Sequence, residues 1–267
     1  MQEISITDKE FSQFRKLIYD IAGISMTDAK KPLVAGRLAK RIKHYGFSSY
    51  SDYFQLLTTA GEGEVRIAVD LLTTNETYFF REPKHFDLLR NLILPPLKGR
   101  QTVKIWSGAC SSGEEPYSIA MLLDDFLGEQ PWELLASDIS TRMLEKARNG
   151  HYTMNRMDNI PKQYLSKYCL KGVGDQQGTF LLNSALRNRI EFRYINLNEK
   201  LPNLDIFDVI FLRNVLIYFD VETKRKVVEN LMVFLKPGGY FLVSHSESLS
   251  GIVNGLQAVA PSVYKKP

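Results

Sequence analysis

Val103-Lys104-Ile105-Trp106 runs directly into Ser107-Gly108-Ala109-Cys110-Ser111-Ser112-Gly113, and the next residues are Glu114-Glu115-Pro116. The first four read as a strand, rich in β-branched and aromatic side chains, and the seven small residues after them read as a turn. Pro116 stands where a helix loses nothing by a missing N–H, and Ile119, Leu122, Leu123 and Phe126 give that helix an apolar face. Strand, small-residue turn and helix in succession form the unit of open parallel sheets, and the turn is where such folds hold nucleotides or nucleosides.

The pattern repeats downstream. Glu133–Asp138 is expected to form a second strand, with Ser140 capping the helix after it, and Ile190–Asn196 and Phe207–Leu212 a third and a fourth. A helix from Glu222 to Leu235 is expected to stop at Lys236-Pro237-Gly238-Gly239, ahead of a fifth strand at Tyr240–Ser244. Leu256–Val259 and Ser262–Lys265 suit a closing hairpin. The fold class is therefore α/β, a doubly wound, mostly parallel, Rossmann-like sheet with helices on both faces. Residues 161–189, with Gly172, Gly174 and Gly178, do not fit the alternation and read as an inserted β element.

Upstream the period changes to that of helices. Thr7-Asp8-Lys9-Glu10 fits a capping box, and Phe11, Phe14, Leu17, Ile18 and Ile21 follow at helical spacing as far as Gly23. A second helix begins near Pro32 with Val34, Leu38, Ile42 and Tyr45 on its apolar side and Gly46 at its end. Two further helices are marked by Tyr50, Tyr53, Phe54 and Leu57 and by Val65, Val69 and Leu72. The expected organisation is a helical domain over 1–72, a linker over 73–92, and an α/β domain over 93–267 carrying a β-subdomain at about 161–189.

Of 267 residues, 44% are hydrophobic and 24% charged, which suits a globular chain with a sizeable core. No apolar run is long enough to span a bilayer, so membrane insertion is excluded, and the start shows no basic-then-apolar leader. Cys110 and Cys169 lack zinc-ligand spacing and are expected to be free thiols in a reducing cytoplasm. No metal is expected. A net charge of +4 does not suggest a nucleic-acid binder. Lys30–Lys43, however, holds Lys30, Lys31, Arg37, Lys40, Arg41 and Lys43 with no acid, and Arg37, Lys40, Arg41 and His44 share a helix face. Such a stripe suits an acidic partner surface, or else is a solvated helix face.

The turn at 107–113 lacks the G-x-G-x-x-G pattern, and two acids stand where the next helix begins. Acids there would repel a pyrophosphate, which speaks against NAD or ATP. They suit S-adenosylmethionine, whose sulfonium and ammonium are both positive. Asp138, closing the second strand, stands where a carboxylate can accept from two ribose hydroxyls, though an Asp beside Ser140 also reads as a helix cap.

Several blocks together carry a family resemblance. Asn75-Glu76-Thr77-Tyr78-Phe79-Phe80-Arg81-Glu82 and Ser107–Ser118 resemble the chemotaxis receptor glutamate methyltransferases, CheR. Leu212-Arg213-Asn214-Val215-Leu216-Ile217-Tyr218-Phe219, Leu235–Gly239 and His245-Ser246-Glu247-Ser248 do so too, in the family's order and over essentially the whole chain. The resemblance implies S-adenosylmethionine as cofactor, S-adenosylhomocysteine as product, and glutamate side chains of chemoreceptors as acceptors. Residue by residue it implies cofactor contacts from Asn75, Thr77, Arg81, Glu115, Asp138, Asn196, Leu197, Arg213 and Asn214, with Glu114 an alternative to Glu115. Arg213 and Tyr218 would orient the acceptor. Arg37, Lys40, Arg41 and Lys43 would dock the acidic helical bundle of the receptor's cytoplasmic domain, and the β-subdomain resembles one that in some members grips a receptor C-terminal peptide. A monomer is expected.

A glutamate acceptor is already ionised near neutrality, with an unperturbed pKa of ~4.3, so no general base is required of His245. Cys110 reads as a small side chain in a tight turn rather than as a nucleophile. Two other readings use the same cavity: methylation of a different acceptor, and a non-catalytic module that senses S-adenosylmethionine.

Overall fold

The computed structural model describes residues 4–59 and 61–267. Met1–Glu3, on which the reading of the chain start partly rests, lie outside them. Among the described residues no helix is long and apolar enough to cross a membrane.

Helices α1 (Asp8–Ala22), α2 (Lys31–Tyr45), α3 (Tyr50–Thr59) and α4 (Glu62–Leu72) pack around their own core, with Phe14 between Tyr53 and Phe54 at ring separations of 6.2 and 5.5 Å. The capping box forms as expected: Glu10 N donates to Thr7 Oγ1 at 3.2 Å, and Thr7 N donates to Glu10 Oε2 at 2.8 Å. The buried Glu10 also accepts from Ser51 N and Oγ, which ties α1 to the start of α3. α1 ends at Gly23, and the chain after it meets the α/β part: Ile24 bridges to Phe219, and Ser25 N donates to Tyr218 O at 2.8 Å.

An irregular stretch then leads to α5 (Pro83–Leu88). Apart from short 3-10 turns and a π-helical turn at Leu89–Ile93 that continues α5, the elements that follow are β1 (Val103–Gly108), α6 (Glu114–Leu127), β2 (Trp132–Asp138), α7 (Thr141–Asn149), β3 (His151–Thr153), α8 (Lys162–Tyr168), β4 (Cys169–Lys171), β5 (Thr179–Leu182), α9 (Ser184–Arg187), β6 (Ile190–Tyr194), β7 (Phe207–Leu212), α10 (Val221–Met232), β8 (Leu235–Leu242), β9 (Gln257–Ala260) and β10 (Val263–Lys265). The main sheet has the order β6-β2-β1-β7-β8-β10-β9, parallel from β6 to β8 and antiparallel in the closing hairpin. All six residues of β7 are buried, as a strand covered on both faces requires. Ile105, Val209 and Phe211 enter one core, while Trp106, Ile210 and Leu212 enter the other, so strand alternation divides the apolar residues between the two faces.

Three sequence expectations shift. The third strand leaves the sheet after Tyr194, which frees Ile195–Leu197 to turn over its edge. The helix expected to reach Leu235 stops at Met232, and Lys236-Pro237-Gly238-Gly239 lies inside β8 instead of ending a helix. Gly239 is required there, because a Cβ would lie 2.8 Å from Lys236 O and 3.0 Å from Asp208 O. Finally, the small sheet, of order β3-β5-β4, draws its first strand from His151–Thr153, ahead of the 161–189 span. Three residues are too few to display a period of two.

Candidate functional site

The strand order reverses direction on either side of β1, with β2 to one side and β7 to the other, and a parallel sheet opens a crevice beyond the carboxyl ends of its strands at such a point. A cleft lies there. The β1–α6 turn forms one wall, and its tight path puts Ala109 and Ser111 at φ 57° and 50° and Gly113 at φ 96°. A Cβ on Gly113 would also lie 2.8 Å from that of Ala147, so the turn and α7 close together only over a glycine. The ends of β2, β6 and β7 supply Asp138, Asn196 with Leu197, and Arg213 with Asn214. Thr73–Thr77 and Arg81 cover the cleft, and Ala22 and Ile24 from the end of α1 complete it.

Asn75, Thr77, Arg81, Glu115, Asp138, Asn196, Leu197, Arg213, Asn214 and Tyr218 thus all line one cavity. Glu114 does not. It is buried on the other side of the helix start, where Ser112 Oγ donates to Oε2 at 2.7 Å and Arg156 lies 3.3 Å from Oε1. Of the two acids that the sequence left open, Glu115 faces the cavity.

Asp138 accepts from Ser111 N and from Ser140 N, both at 2.8 Å, so it also braces the two turns around it. Burial, opposed by these N–H donors, pushes its carboxyl up to about 6. Each oxygen keeps a lone pair for a further donor.

Arg213 is almost wholly buried and its charge is taken. Nη1 lies 2.9 Å from Glu115 Oε2, Nη2 lies 3.1 Å from Glu82 Oε2, and Nη2 also donates to Arg81 O. The two carboxylates sharing this guanidinium diverge. Burial raises Glu115, against the opposing charge of Arg213 and a bond from Ser107 Oγ at 2.8 Å. Burial opposes ionisation of Glu82 as well, but His85, Arg213 and Asn214 together hold its carboxyl well below the usual range. Arg213 is therefore already paired through both terminal nitrogens and orients Glu115, while its buried Nε has no hydrogen-bond partner among the described residues.

Asn196 is also occupied, its Nδ2 donating to Ile21 O at 2.8 Å and its Oδ1 accepting from Asn198 N. It fastens the end of β6 to the end of α1. Arg81 by contrast bonds, among the described residues, a neutral partner, Glu76 O at 2.8 Å, and lies over the Tyr78 ring at 5.6 Å. Its positive charge stays available at the rim. Cys110 is buried in the core and burial raises its thiol, which fits a small packing residue.

The basic stripe of α2 is only partly a free surface. Arg41 pairs with the buried Glu64, which also accepts from Tyr45 OH at 2.8 Å and Tyr53 OH at 2.7 Å. Arg37 donates to the carbonyls of Leu72 and Thr73 and to Thr74 Oγ1. Only Lys40, Lys43 and His44 stay exposed there, because Arg37 and Arg41 flank the buried Val34–Leu38–Ile42 stripe and are long enough to fold back.

Two acids escaped the sequence reading. Glu82 carries half of the Arg213 pair. Glu247, buried, accepts from Asn214 N, Ile217 N and Ser244 N at 3.0, 3.1 and 2.8 Å, which holds Asn214 at φ 60°. Both lie inside blocks that carried the family resemblance, the only sequence signal available for them.

The donor set suits S-adenosylmethionine. Among the described residues the cleft offers the buried Asp138, the partly buried Glu115 and the guanidinium of Arg81 without an ion pair, whereas a phosphate would find its nearest buried cation already paired.

Comparison with known proteins agrees. Residues 75–264 match the family described as CheR methyltransferase, SAM binding domain, and residues 9–73 match CheR methyltransferase, all-alpha domain. The chain is 38% identical to the chemotaxis protein methyltransferase of Borreliella burgdorferi, over 98% of this chain and 96% of that one. It is 38% identical to chemotaxis protein methyltransferase 2 of Pseudomonas aeruginosa, over 98% and 95%, and 37% identical to the Salmonella typhimurium enzyme, over 98% and 92%. The chain belongs to the CheR methyltransferases, the S-adenosylmethionine-dependent enzymes of chemotaxis.

Proposed function

We propose that this enzyme methylates glutamate side-chain carboxylates on the cytoplasmic domains of chemoreceptors, and that the cleft beyond β1, β2 and β7 is where it does so. The observation that carries the reading is the pairing of Glu115 with Arg213 in the same cavity as Asp138 and the unneutralised Arg81. Asp138 would accept from two ribose hydroxyls. Asn75 and Thr77 would cover the cofactor from the linker, Arg81 would pair with its carboxylate, Leu197 would pack against the adenine, and Asn214 would lie beside the transferred methyl. Asn196 acts indirectly, through its bond to α1. When bound, S-adenosylmethionine supplies an electrophilic methyl on a sulfonium.

The chain's own residues then hold and dehydrate. An acceptor glutamate arrives ionised, so no residue has to remove a proton. Arg213 keeps Glu115 in place and spares the cavity an unpaired buried carboxylate. Tyr218 at the lip aligns the acceptor, and its main chain is anchored by Ser25 of the front module. Positioning and exclusion of water supply the rate.

Lys40 and Lys43 guide the acidic helices of the receptor, and Arg37 and Arg41 do not share that role directly. A receptor C-terminal peptide would add to the open edge of the small sheet at β4, beside exposed Leu170 and Val173. The enzyme works as a monomer in the cytoplasm, where Cys110 and Cys169 remain thiols.

The test is transfer of radiolabelled methyl from S-adenosylmethionine to membranes containing chemoreceptors. Base-labile label on receptor glutamates, lost with Asp138→Ala, supports the reading. Tight cofactor binding without transfer would favour a sensing module, and label on another molecule would favour a different acceptor.

A further inference from the structure

We infer that Arg37 and Arg156 are positioning residues of the cofactor site, acting on it through the main chain of the segment 72–81. This segment covers the cleft with Thr73–Thr77 and Arg81, and from Thr73 onward, past the last residue of α4, it forms neither helix nor strand. Its carbonyls must find donors elsewhere.

Those donors are guanidinium groups from separate parts of the molecule. Arg37 of α2 donates from Nη1 to Leu72 O at 2.9 Å and Thr73 O at 3.0 Å, and from Nη2 to Thr74 Oγ1 at 3.1 Å. Arg156, in the turn after β3, donates to Thr77 O and also lies 3.3 Å from Glu114 Oε1, so the buried acid fixes the arm that holds the segment. Ser111 Oγ supplies a neutral bond to Asn75 O at 3.1 Å between these two, and Arg213 takes Arg81 O beyond them. Asn75 and Thr77, two of the cover residues at the cleft, are therefore bracketed by Arg37 on one side and Arg156 on the other.

The chemistry of the donors matters. A planar fork can satisfy two adjacent carbonyl oxygens and a hydroxyl at once, whereas an ammonium is a point charge that cannot reproduce the geometry. An arginine on a docking face would instead keep its fork in solvent. Arg37 has spent its own on the linker, which separates it from Lys40 and Lys43 on the same helix. Because Arg37 sits on the front module and Arg156 beside the small sheet, a displacement of either part moves the cover of the cleft.

The inference rests on the reading that this cleft holds the cofactor, and the experiment separates the two. The full chain and its Arg37→Gln, Arg156→Gln, Arg37→Lys and Asp138→Ala variants are titrated calorimetrically with S-adenosylhomocysteine, without receptor, and melting temperatures are recorded. Each Gln variant should bind about tenfold more weakly while still melting cooperatively, the size of one lost bond from a charged donor. Arg37→Lys should recover only part of that loss, since it restores charge without the fork. The inference is overturned if the Gln variants bind as wild type while Asp138→Ala does not. It is equally overturned if Arg37→Gln binds S-adenosylhomocysteine as wild type and, in a separate methyl-transfer assay, only raises a KM for receptor that Arg37→Lys restores, the behaviour of a docking charge. Should Asp138→Ala also bind as wild type, the cleft is not the cofactor site and the inference goes with it.

Discussion

The strand ends of the main sheet and the basic face of α2 both carry charged residues at regular places, yet the two regions dispose of them differently. β2, β6 and β7 run parallel, so Asp138, Asn196 and Arg213 leave the sheet at one rim and meet in one cavity. On α2 the stripe of cations divides. Arg37 and Arg41 lie on the flanks of the buried stripe and turn back, one to the linker and one to Glu64, while Lys40 and Lys43 lie farther round and remain in solvent. Backbone direction decides where a strand-end residue goes, whereas a long side chain on a helix flank chooses its partner from whatever packs beside it.

The sharpest test of the rim is Arg213→Ala. It leaves the partly buried Glu115 and Glu82 without their shared, fully buried cation, and stability to urea should fall by about 3 kcal/mol. An unchanged unfolding midpoint would show that the rim charges are as loosely held as those on the helix.

Asp138→Ala should come next, with cofactor affinity lower by about a hundredfold on loss of a charged acceptor. The same residue sets a pH dependence. Donor hydroxyls favour its ionised form, and without them burial pushes the carboxyl up to about 6. Affinity should therefore hold steady above pH 6 and weaken by about tenfold per unit below it. Calorimetry across that range checks the sign, and a pH-independent Asp138→Ala baseline checks the assignment.

Arg41→Met addresses the other region. It strands Glu64 among Tyr45 and Tyr53, so the fold should lose about 2 kcal/mol, while the KM for receptor should stay near wild type. A KM that rises with no change in stability would return Arg41 to the docking surface. The smallest effect is expected from Lys40→Glu with Lys43→Glu. Receptor KM should rise about threefold at low salt and less at high salt, with cofactor affinity unaltered.

The sequence was most legible where local geometry leaves little choice. The capping box at Thr7 and Glu10, the Ser140 cap and the strand at Phe207–Leu212 form where periodicity and capping chemistry put them. The short strand His151–Thr153 and the strand path through Lys236–Gly239 were not legible, since each depends on a partner strand far along the chain. Arg156 carried no signal at all, being one cation in a turn until Thr77 and Glu114 are brought against it.

By itself, then, the order of residues determined the alternation of strands and helices, the family, and the residues that gather beyond the carboxyl ends of the strands. Those follow from side-chain period, turn chemistry and the common direction of parallel strands. Only the tertiary structure decided which of Glu114 and Glu115 faces the cavity, that Arg213 is already neutralised, and that Arg37 serves the linker. Each of these turns on a contact across tens of residues or more, where the partner of a charged group is set by packing and by the requirement that no buried charge or carbonyl go unmatched.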